Sequence, residues 1–520
     1  MRNYFLFCIL LISSILYSQS KIKCDLIEVS TIAFSKNPNI KFANYAIQNA
    51  EGNFLIQKSI FDFNLNSEIA YKNDRYNLLD ADSRNKYVDK TLKSNSLDVS
   101  AGLQKALRSG QILDLSLNYN YKDSNYPYNN FNELVGPFYG NHLSTVNLQL
   151  TQPLLRGRGA KITTALEKAS VFYINKSKYD SEFTNSYEVE QIGIAYWNYY
   201  TSYKSLAIYL QNENRVRDVL NMTIELVKAD KKPESDLAQV NADLSNQERL
   251  TASAKQDLYN ARLNLGRVIG LIDEESQKLD IPVNDFPTIS ESGYVGSINK
   301  EALIKLAKDN RGDVKANGEE YKAVELQYLV AENNLKPVLN LSAFAYYGST
   351  SAGNGIDQSW ASLTNNQGRD VGGGAKLTFA FPLNNNLAKG NYAIRKIALQ
   401  NQSTINENTQ RNIELNIDIA INNLINNALI VEKSEEAYGF CLNAYNNEQI
   451  KFQAGLTTLL NLMIFQERLT SSELQNLSAR EQFSNAILIL RHETGTLISK
   501  EELGFKITQN AFYTIPKTEN

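Results

Sequence analysis

The chain has 520 residues, and its 53 Lys and Arg against 56 Asp and Glu give a net charge of −3. This balance argues against a nucleic-acid-binding protein, because such proteins present a strongly basic surface. A mean hydropathy of −0.36 argues against a bundle of membrane helices, and only two His and three Cys are available for metal or thiol chemistry. We therefore predict that the chain is not an enzyme and has no catalytic group, cofactor or metal site.

The first twenty residues are typical of a secretory signal peptide. Arg2 gives a positive charge, residues 4–16 form an apolar run, and residues 18–20 offer a cleavage site with small side chains. We therefore predict an exported chain that loses this segment and keeps Cys24 and Cys441. No later segment has about 18 uninterrupted apolar residues, so no transmembrane helix is predicted.

Two long windows without proline predict long helices. They cover residues 154–232 and 383–515, and glycine is scarce over much of both, as helices require. The stretch after the first window has an apolar stripe with steps of mostly three and four residues, formed by Leu237, Val240, Leu244, Leu250, Ala254, Leu258, Ala261 and Leu265. A coiled coil of a structural protein would carry the same stripe, so helices alone do not indicate the function.

Between the helical windows, apolar and polar residues alternate with a period of two. The alternation covers residues 99–104, 113–122, 146–151, 339–345 and 376–381, and a Ser-Gly pair at 109–110 predicts a turn between the first two segments. Strands of this kind suit a sheet with lipid on one side and water on the other. They equally suit a half-buried sheet in a soluble protein.

An internal repeat relates the two halves of the chain. Pro153 aligns with Pro382 and Gly270 with Gly495, so that roughly 225 residues separate equivalent positions over much of the repeat. The first copy has about 44 extra residues, which fall in the Tyr- and Asn-rich segment 72–145. We predict a signal peptide at 1–20, a first repeat at 21–275 with a tip near 230–236, a linker at 276–297, a second repeat at 298–498 with a tip near 452–461, and a tail at 499–520.

The number of predicted strands constrains how they could span a membrane. Each copy offers about two strands of membrane length, or about four per chain, with a further hairpin if the extra residues form one. Since the smallest membrane barrel has about eight strands, four strands cannot close one. We therefore predict an α+β membrane protein in which several copies share one transmembrane β-barrel, continued by a long periplasmic α-helical barrel.

Short motifs recur in the same order in both halves. They lie at Ala33, Asn37-Pro38, 152–157 and 232–237 in the first half, and at 310–314, 379–383 and 452–458 in the second. Together they resemble the TolC-type outer-membrane efflux proteins over about residues 25–498. The resemblance implies a homotrimer in the outer membrane lipid of a Gram-negative bacterium, with a shared 12-stranded barrel and a helical barrel in the periplasm. It also implies a passive exit duct of a tripartite efflux pump, joined through a periplasmic adaptor protein to an inner-membrane transporter.

In this family the helix tips close the periplasmic mouth, often through carboxylates with Tyr and Arg residues nearby. At the matching positions this chain has Asn461 and Ile464, with Phe452 and Thr457 where the Tyr and Arg side chains would stand. Asp236 of the first tip would give a ring of three carboxylates in a trimer; alternatively, its charge only favours the start of the returning helix. The candidate mouth residues are Asp236, Phe452, Thr457 and Asn461.

Asp230, in the first tip, stands where many members of the family have Gly. Two other functions stay open at this level. The same fold would also serve type I protein secretion, a choice that depends on the neighbouring pump. A soluble periplasmic coiled-coil scaffold with a small sheet would also fit, although it would leave the two-faced strands without lipid.

Overall fold

A computed structural model describes residues 21–126, 130–294, 298–364, 369–501 and 504–517. The predicted signal peptide lies outside these residues. The chain forms two compact units that interleave along the sequence, which we call the helical unit and the sheet unit. The helical unit comprises Met1–Gln48, Lys176–Gly318 and Ile405–Asn520, and the sheet unit comprises Asn49–Asn175 and Glu319–Thr404.

From the first pair of helices to the end of the long helical hairpin, the secondary-structure elements follow a similar order in the two halves of the chain, with two strands and one short helix added in the first. The first half contains β1 (Ile22–Cys24), α1 (Leu26–Lys36), α2 (Pro38–Ser59), β2 (Phe63–Asn77), β3 (Thr91–Ala106), β4 (Ile112–Ser124), α3 (Asn130–Val135), β5 (Asn141–Pro153), α4 (Ala160–Thr163), α5 (Ala165–Lys228), α6 (Ser235–Ile269), α7 (Asp273–Ser276) and β6 (Leu279–Pro282). The second contains α8 (Lys300–Asn310), α9 (Gly312–Asn333), β7 (Val338–Ala352), α10 (Ile356–Thr364), β8 (Arg369–Ala380), α11 (Asn386–Gln453), α12 (Leu459–Glu493), β9 (Ser499–Glu501), β10 (Gly504–Lys506) and α13 (Asn510–Tyr513). The elements added in the first half are β3, β4 and α4.

Four helices are long, as the proline-free windows predict. α5 has 64 residues and α11 has 68, so each would extend for roughly 100 Å at 1.5 Å per residue. α6 and α12, with 35 residues each, return from the tips. Among the described residues, none of the helices combines the length and the apolar character needed to cross a membrane.

The sheet unit contains one antiparallel sheet of six strands in the order β2-β3-β4-β5-β7-β8. The sequence predicts about four strands and leaves a further hairpin open. That hairpin exists: β3 and β4 occupy part of segment 72–145, and Gly110 turns the chain between them with a φ of +98°. Only a residue without Cβ adopts this conformation at little cost.

The strand register separates the side chains into two faces. One face is apolar across four central strands, since Leu103 pairs with Leu115, Leu115 with Leu148, and Leu148 with Ala345. The opposite face is polar in β3, β4 and β5, where it carries Gly102, Ser116, Asn118, Asn147, Gln149 and Thr151. In β7 this face has Phe344 and Tyr346, so the predicted alternation is clear in the first three of these strands and weaker in β7. A shift of one residue in any strand would exchange its faces.

The core of the helical unit is built partly from the segments predicted to be a linker and a tail. β6, within the expected linker, pairs in parallel with β1, and α13, within the expected tail, buries Ala511 and Phe512. Both segments contribute to a cluster around Trp197 of α5. Segments from near both ends of the described residues therefore pack into one core.

Candidate functional site

The two helix tips have the same backbone design. α5 ends at Lys228 and α11 ends at Gln453. Two residues after each helix end, the backbone has a positive φ angle, 51° at Asp230 and 72° at Gly455. Each tip then closes with two hydrogen bonds back into the helix: Asp230 N to Val227 O (3.0 Å), Lys231 N to Leu226 O (2.9 Å), Gly455 N to Phe452 O (3.0 Å) and Leu456 N to Lys451 O (2.9 Å). This pattern satisfies carbonyl groups that the helix end leaves without partners.

An apolar cluster holds the ends of the four long helices together next to the tips. Its buried members are Val216 and Val219 of α5, Val240 of α6, Tyr445 and Phe452 of α11, and Leu459, Leu462 and Leu469 of α12. Residues from both repeats contribute, so this cluster packs the first helical hairpin against the second. Burial of such side chains contributes on the order of 2 kcal/mol each.

Lys232 connects the first tip to the second. Its Nζ lies 5.4 Å from the centroid of the Phe452 ring and donates to the carbonyl oxygen of Thr457 at 3.5 Å. The Phe452 side chain is fully buried, so the ammonium group lies against an aromatic ring that is fixed by packing. A cation at this distance from an aromatic ring is attracted by about 0.5–2 kcal/mol.

The second tip is held by a small polar network. The Thr457 hydroxyl donates to the Glu448 carboxylate, Lys451 Nζ donates to the same carboxylate at 3.1 Å, and Asn461 Nδ2 donates to Thr457 Oγ1 at 3.3 Å. The Thr457 hydrogen bond and the Lys451 charge lower the pKa of Glu448 below its usual value. Thr458 caps α12 by accepting from Asn461 N at 3.3 Å, which satisfies one free amide of the helix start.

Asp236 lies in the first turn of α6, half-buried, with its backbone N–H donating to Pro233 O at 3.1 Å. A negative charge at this position is favourable next to a helix N-terminus. Among the residues that the structure describes, its carboxylate forms no ion pair. The tips therefore bring Phe452, Thr457 and Asn461 into one network and leave Asp236 outside it.

Two members of this network, Lys232 and Glu448, are absent from the residues predicted to form the mouth. The repeat contains a signal for Lys232, since it stands 225 positions before Thr457, at the equivalent position of the other tip. Glu448 lies inside α11, nine positions before Thr457, and nothing in the motif order indicates it.

A polar layer crosses the helical hairpins farther from the tips. Asn212 of α5 donates to Gln247 at 2.9 Å and accepts from Gln466 Nε2 at 3.0 Å. One turn away, Arg215 donates two hydrogen bonds to Glu473, at 2.9 and 3.2 Å, and the two side chains are only 13% and 9% exposed. A buried pair of this kind is costly to break, because removal of one partner leaves the other charge buried without compensation.

A second cluster of titratable groups lies where α5 packs near the ends of α8 and α12. Arg311 donates to the carboxylates of Asp313 and Glu493, and His492 Nδ1 lies 3.7 Å from Glu190 Oε2. Burial, together with the Glu493 charge, raises the pKa of Glu190 to about 7. Burial and the Arg311 charge lower the pKa of His492 to about 4. In the part of the chain that the structure describes, no three His, Cys, Asp or Glu side chains could hold a metal ion.

Comparison with solved structures shows the fold. The outer-membrane channel OprN matches with a TM-score of 0.66 at 14% identity, over 91% of this chain and 90% of that one. The CmeC outer membrane channel of Campylobacter jejuni matches with a TM-score of 0.63 at 14% identity, over 91% and 85% of the two chains. The outer membrane protein VceC of Vibrio cholerae matches with a TM-score of 0.63 at 14% identity, over 90% and 96%.

The chain has the TolC-type outer-membrane channel fold. The fold that the sequence motifs imply is thus confirmed over nearly the whole chain. Comparisons with protein-family models and with curated proteins give no match. Within the TolC-type fold, the two tips described above are the turns of the two long helical hairpins.

Proposed function

We propose that this chain is the subunit of a homotrimeric outer-membrane channel in a Gram-negative bacterium, and that this channel is the passive exit duct of a tripartite efflux pump. A periplasmic adaptor protein joins the channel to an inner-membrane transporter. A water-filled duct needs no catalytic group or cofactor, and the proposal assigns none.

The observation that carries this proposal is the apolar face of the six-stranded sheet. Its side chains are large and open to the surroundings: Leu65, Ile69 and Val371 are each 73% exposed, Phe379 is 66% exposed and Leu377 is 64% exposed. Contiguous apolar surface of this extent is unfavourable in water, at about 25 cal/mol per Å². Lipid removes this cost and leaves the polar face for a water-filled lumen.

The helical unit suits the periplasmic part of such a duct. Its long helices contain both polar and apolar residues. They end in two tips that are held by contacts between the repeats. OprN and CmeC, whose chains share the fold, are described as outer-membrane channels. These observations support a role for the tips in closing the duct and in contacting the adaptor.

The test begins with the mature protein in the membrane fraction of its own cells. We expect extraction only with detergent, a native mass of three chains, and ion conductance after insertion into a planar bilayer. A salt-soluble monomer would contradict the proposal and favour the periplasmic scaffold. The pump that co-purifies with the channel distinguishes efflux of small molecules from type I protein secretion.

A pair of neighbouring substitutions makes the test specific to the sheet. Leu148→Arg places a charge on the apolar face, and Asn147→Arg places the same charge on the polar face of the same strand. Arg on a lipid-facing position costs about 2–4 kcal/mol near the bilayer midplane. We expect Leu148→Arg to reduce the amount of trimer in the membrane fraction, and Asn147→Arg to leave it nearly unchanged. Equal effects of both substitutions would contradict lipid contact at this face.

A further inference from the structure

The six-stranded sheet ends in two open edges, at β2 and at β8. Each edge strand pairs with only one neighbour among the described strands: β2 with β3, and β8 with β7. The edges are long, with 15 residues in β2 and 12 in β8, and nearly all of their side chains are exposed. Each therefore presents a row of backbone N–H and C=O groups that has no partner within the sheet.

These edges lack three of the features that protect a sheet edge in water. Proteins block edges with proline, with bulges or with very short strands, and also with charged side chains; of these, β2 and β8 have only charged side chains, such as Lys72 and Lys376. Neither β2 nor β8 contains proline, and both run along their neighbours without any shift in register. In a membrane, an unpaired edge is still less tolerable, because the hydrocarbon interior offers no hydrogen-bond partners.

The direction of the strands allows one edge to pair with the other in a second copy. All five pairings in the sheet are antiparallel and the number of strands is even, so β8 runs opposite to β2. A β8 strand beside the β2 strand of the next copy would continue the same antiparallel pattern. The two edges also keep the same alternation, with Ile69 and Leu377 on the apolar face and Glu68 and Lys376 on the polar face.

We propose that the β8 edge of one copy pairs with the β2 edge of the next, and that the trimer thereby closes a barrel of eighteen strands instead of twelve. The inference rests on the trimer of the proposed function, and it adds the strand count and the identity of the pairing edges. Three copies of a six-stranded sheet supply eighteen strands, whereas the twelve-stranded barrel that the family resemblance implies needs four per chain.

The hairpin β3–β4 belongs to the wall of this barrel. Both strands lie in the interior of the sheet, with 15 paired positions between β2 and β3 and 11 between β4 and β5. Their apolar side chains lie on the same face as those of β5 and β7. Barrel diameter rises about linearly with strand number, so the duct would be about 1.5 times as wide in the membrane as one with twelve strands. Barrels of 16–18 strands leave an aqueous channel.

Electron cryomicroscopy of the detergent-extracted, natural protein tests the strand count directly. We expect eighteen strands in one closed wall, with β2 of each copy next to β8 of another. A wall of twelve strands, with the hairpin outside it or with only two copies present, would overturn the inference and leave a membrane channel intact. A salt-soluble monomer would instead contradict the proposed function, so the two failures are distinguishable.

Cross-linking tests the pairing edges without a map. In a Cys441→Ser background, Glu68→Cys is combined in turn with Asp370→Cys and with Lys376→Cys, which places one thiol on the polar face of β2 and one at two different heights on the polar face of β8. We expect a short bismaleimide to give covalently linked dimers and trimers in denaturing gels with at least one of these edge pairs. The control pairs Lys376→Cys with Asn118→Cys, which lies on the polar face of β4, an interior strand, and should give only monomers. Linked chains with the control pair, or none with either edge pair in an intact trimer, would overturn the assignment.

Discussion

Asp230 and Gly455 have the same left-handed backbone conformation at equivalent positions of the two helix tips, with φ angles of 51° and 72°. Each lies two residues beyond the end of a long helix. Glycine adopts this conformation readily, whereas a residue with a side chain pays about 1 kcal/mol or more, somewhat less for Asp. The two tips therefore have one geometry but differ in how easily the sequence maintains it.

Exchanging these residues should change the stability of each tip in opposite directions. We expect Asp230→Gly to stabilise the first tip by up to about 1 kcal/mol, and Gly455→Asp to destabilise the second by about the same amount. Amide hydrogen exchange in the last turns of α5 and α11 measures each effect locally. Slower exchange in Gly455→Asp than in the natural protein would contradict a shared left-handed turn.

Lys232 should hold the first tip against the second. Lys232→Met keeps the apolar stem but removes the charge that lies over Phe452 and the donor to Thr457 O. We expect a loss of about 1 kcal/mol in the contact between the tips, observed as faster proteolysis of the tips and more frequent opening in a bilayer. Lys231→Met is the control, because Lys231 is exposed next to it. Equal changes in both variants would contradict a specific contact.

Asp236 gives a test of the mouth that does not depend on stability. If three copies of this carboxylate line the axis, Asp236→Asn should reduce the preference for cations in bilayer recordings, because a ring of charge raises the local concentration of counter-ions. Glu234→Gln, two residues earlier and exposed, serves as the control. Unchanged selectivity in Asp236→Asn would leave this residue with the role of starting α6.

Two arginines of α5 differ in burial and should differ in their contribution to folding. Arg215→Ala leaves the Glu473 carboxylate buried without its partner, and we expect a loss of about 3–5 kcal/mol in the free energy of unfolding. Arg217 pairs with Glu213 and Glu248 at the surface, with about half of its side chain exposed, so Arg217→Ala should have a much smaller effect. Thermal unfolding of the two variants in detergent compares them directly.

Glu190 should make the helical unit less stable as the pH rises. Its pKa of about 7 in the folded protein exceeds its usual value of 4.5, so the folded state keeps a proton that the unfolded state has already released. The unfolding free energy should therefore fall between pH 4.5 and pH 7, by up to about 3 kcal/mol.

Glu190→Gln removes this dependence, and comparison with the natural protein isolates it. The two proteins should have similar thermal midpoints at pH 4.5, and the variant should be the more stable one above pH 7. His492 acts in the opposite direction, because its pKa is lowered to about 4. Its Nδ1 lies 3.7 Å from Glu190 Oε2, so the difference between the two proteins reports on this pair of neighbouring groups together. A difference in thermal midpoint that stays constant across this pH range would contradict a buried Glu190 carboxyl with a raised pKa.

The parts of the fold that the sequence predicts are those with strong periodicity. Five strand segments lie where the alternation predicts them, and the chain turns between α5 and α6 at residues 229–234 and between α11 and α12 at residues 454–458. β2 was not predicted, because its apolar face is interrupted by Ser67, Asn73 and Arg75. α10, in a polar segment with little periodicity, packs against β5 and β7. Side-chain hydrogen bonds also join Ser359 to Tyr119 of β4 and Ser362 to Ser144 of β5.

The assignment of the mouth residues stays a prediction, and the structure shows which of the candidates lie together. The sequence indicates Phe452, Thr457 and Asn461 because the motif of the second tip includes or adjoins all three. In the structure they lie in one network. Glu448 contacts this network because the last turns of α11 place it beside the tip. Its hydrogen bond with Thr457 depends on how the tip folds back on the helix, which no local sequence pattern indicates. Contacts between repeats, such as that of Lys232, depend on the tertiary arrangement of four helices.

The pairing of β1 with β6 affects the order in which the chain can fold. Residues 22–26 bond to partners about 258 positions later, as Leu26 N does to Asn284 Oδ1 at 3.0 Å, and Phe512 packs into the same core. Contacts so distant in sequence form slowly, because a long loop must first be closed. The core of the helical unit cannot form completely until residues near Phe512 are available. Even a short truncation at the C-terminus should therefore leave the segments that are synthesised first exposed to aggregation and proteolysis.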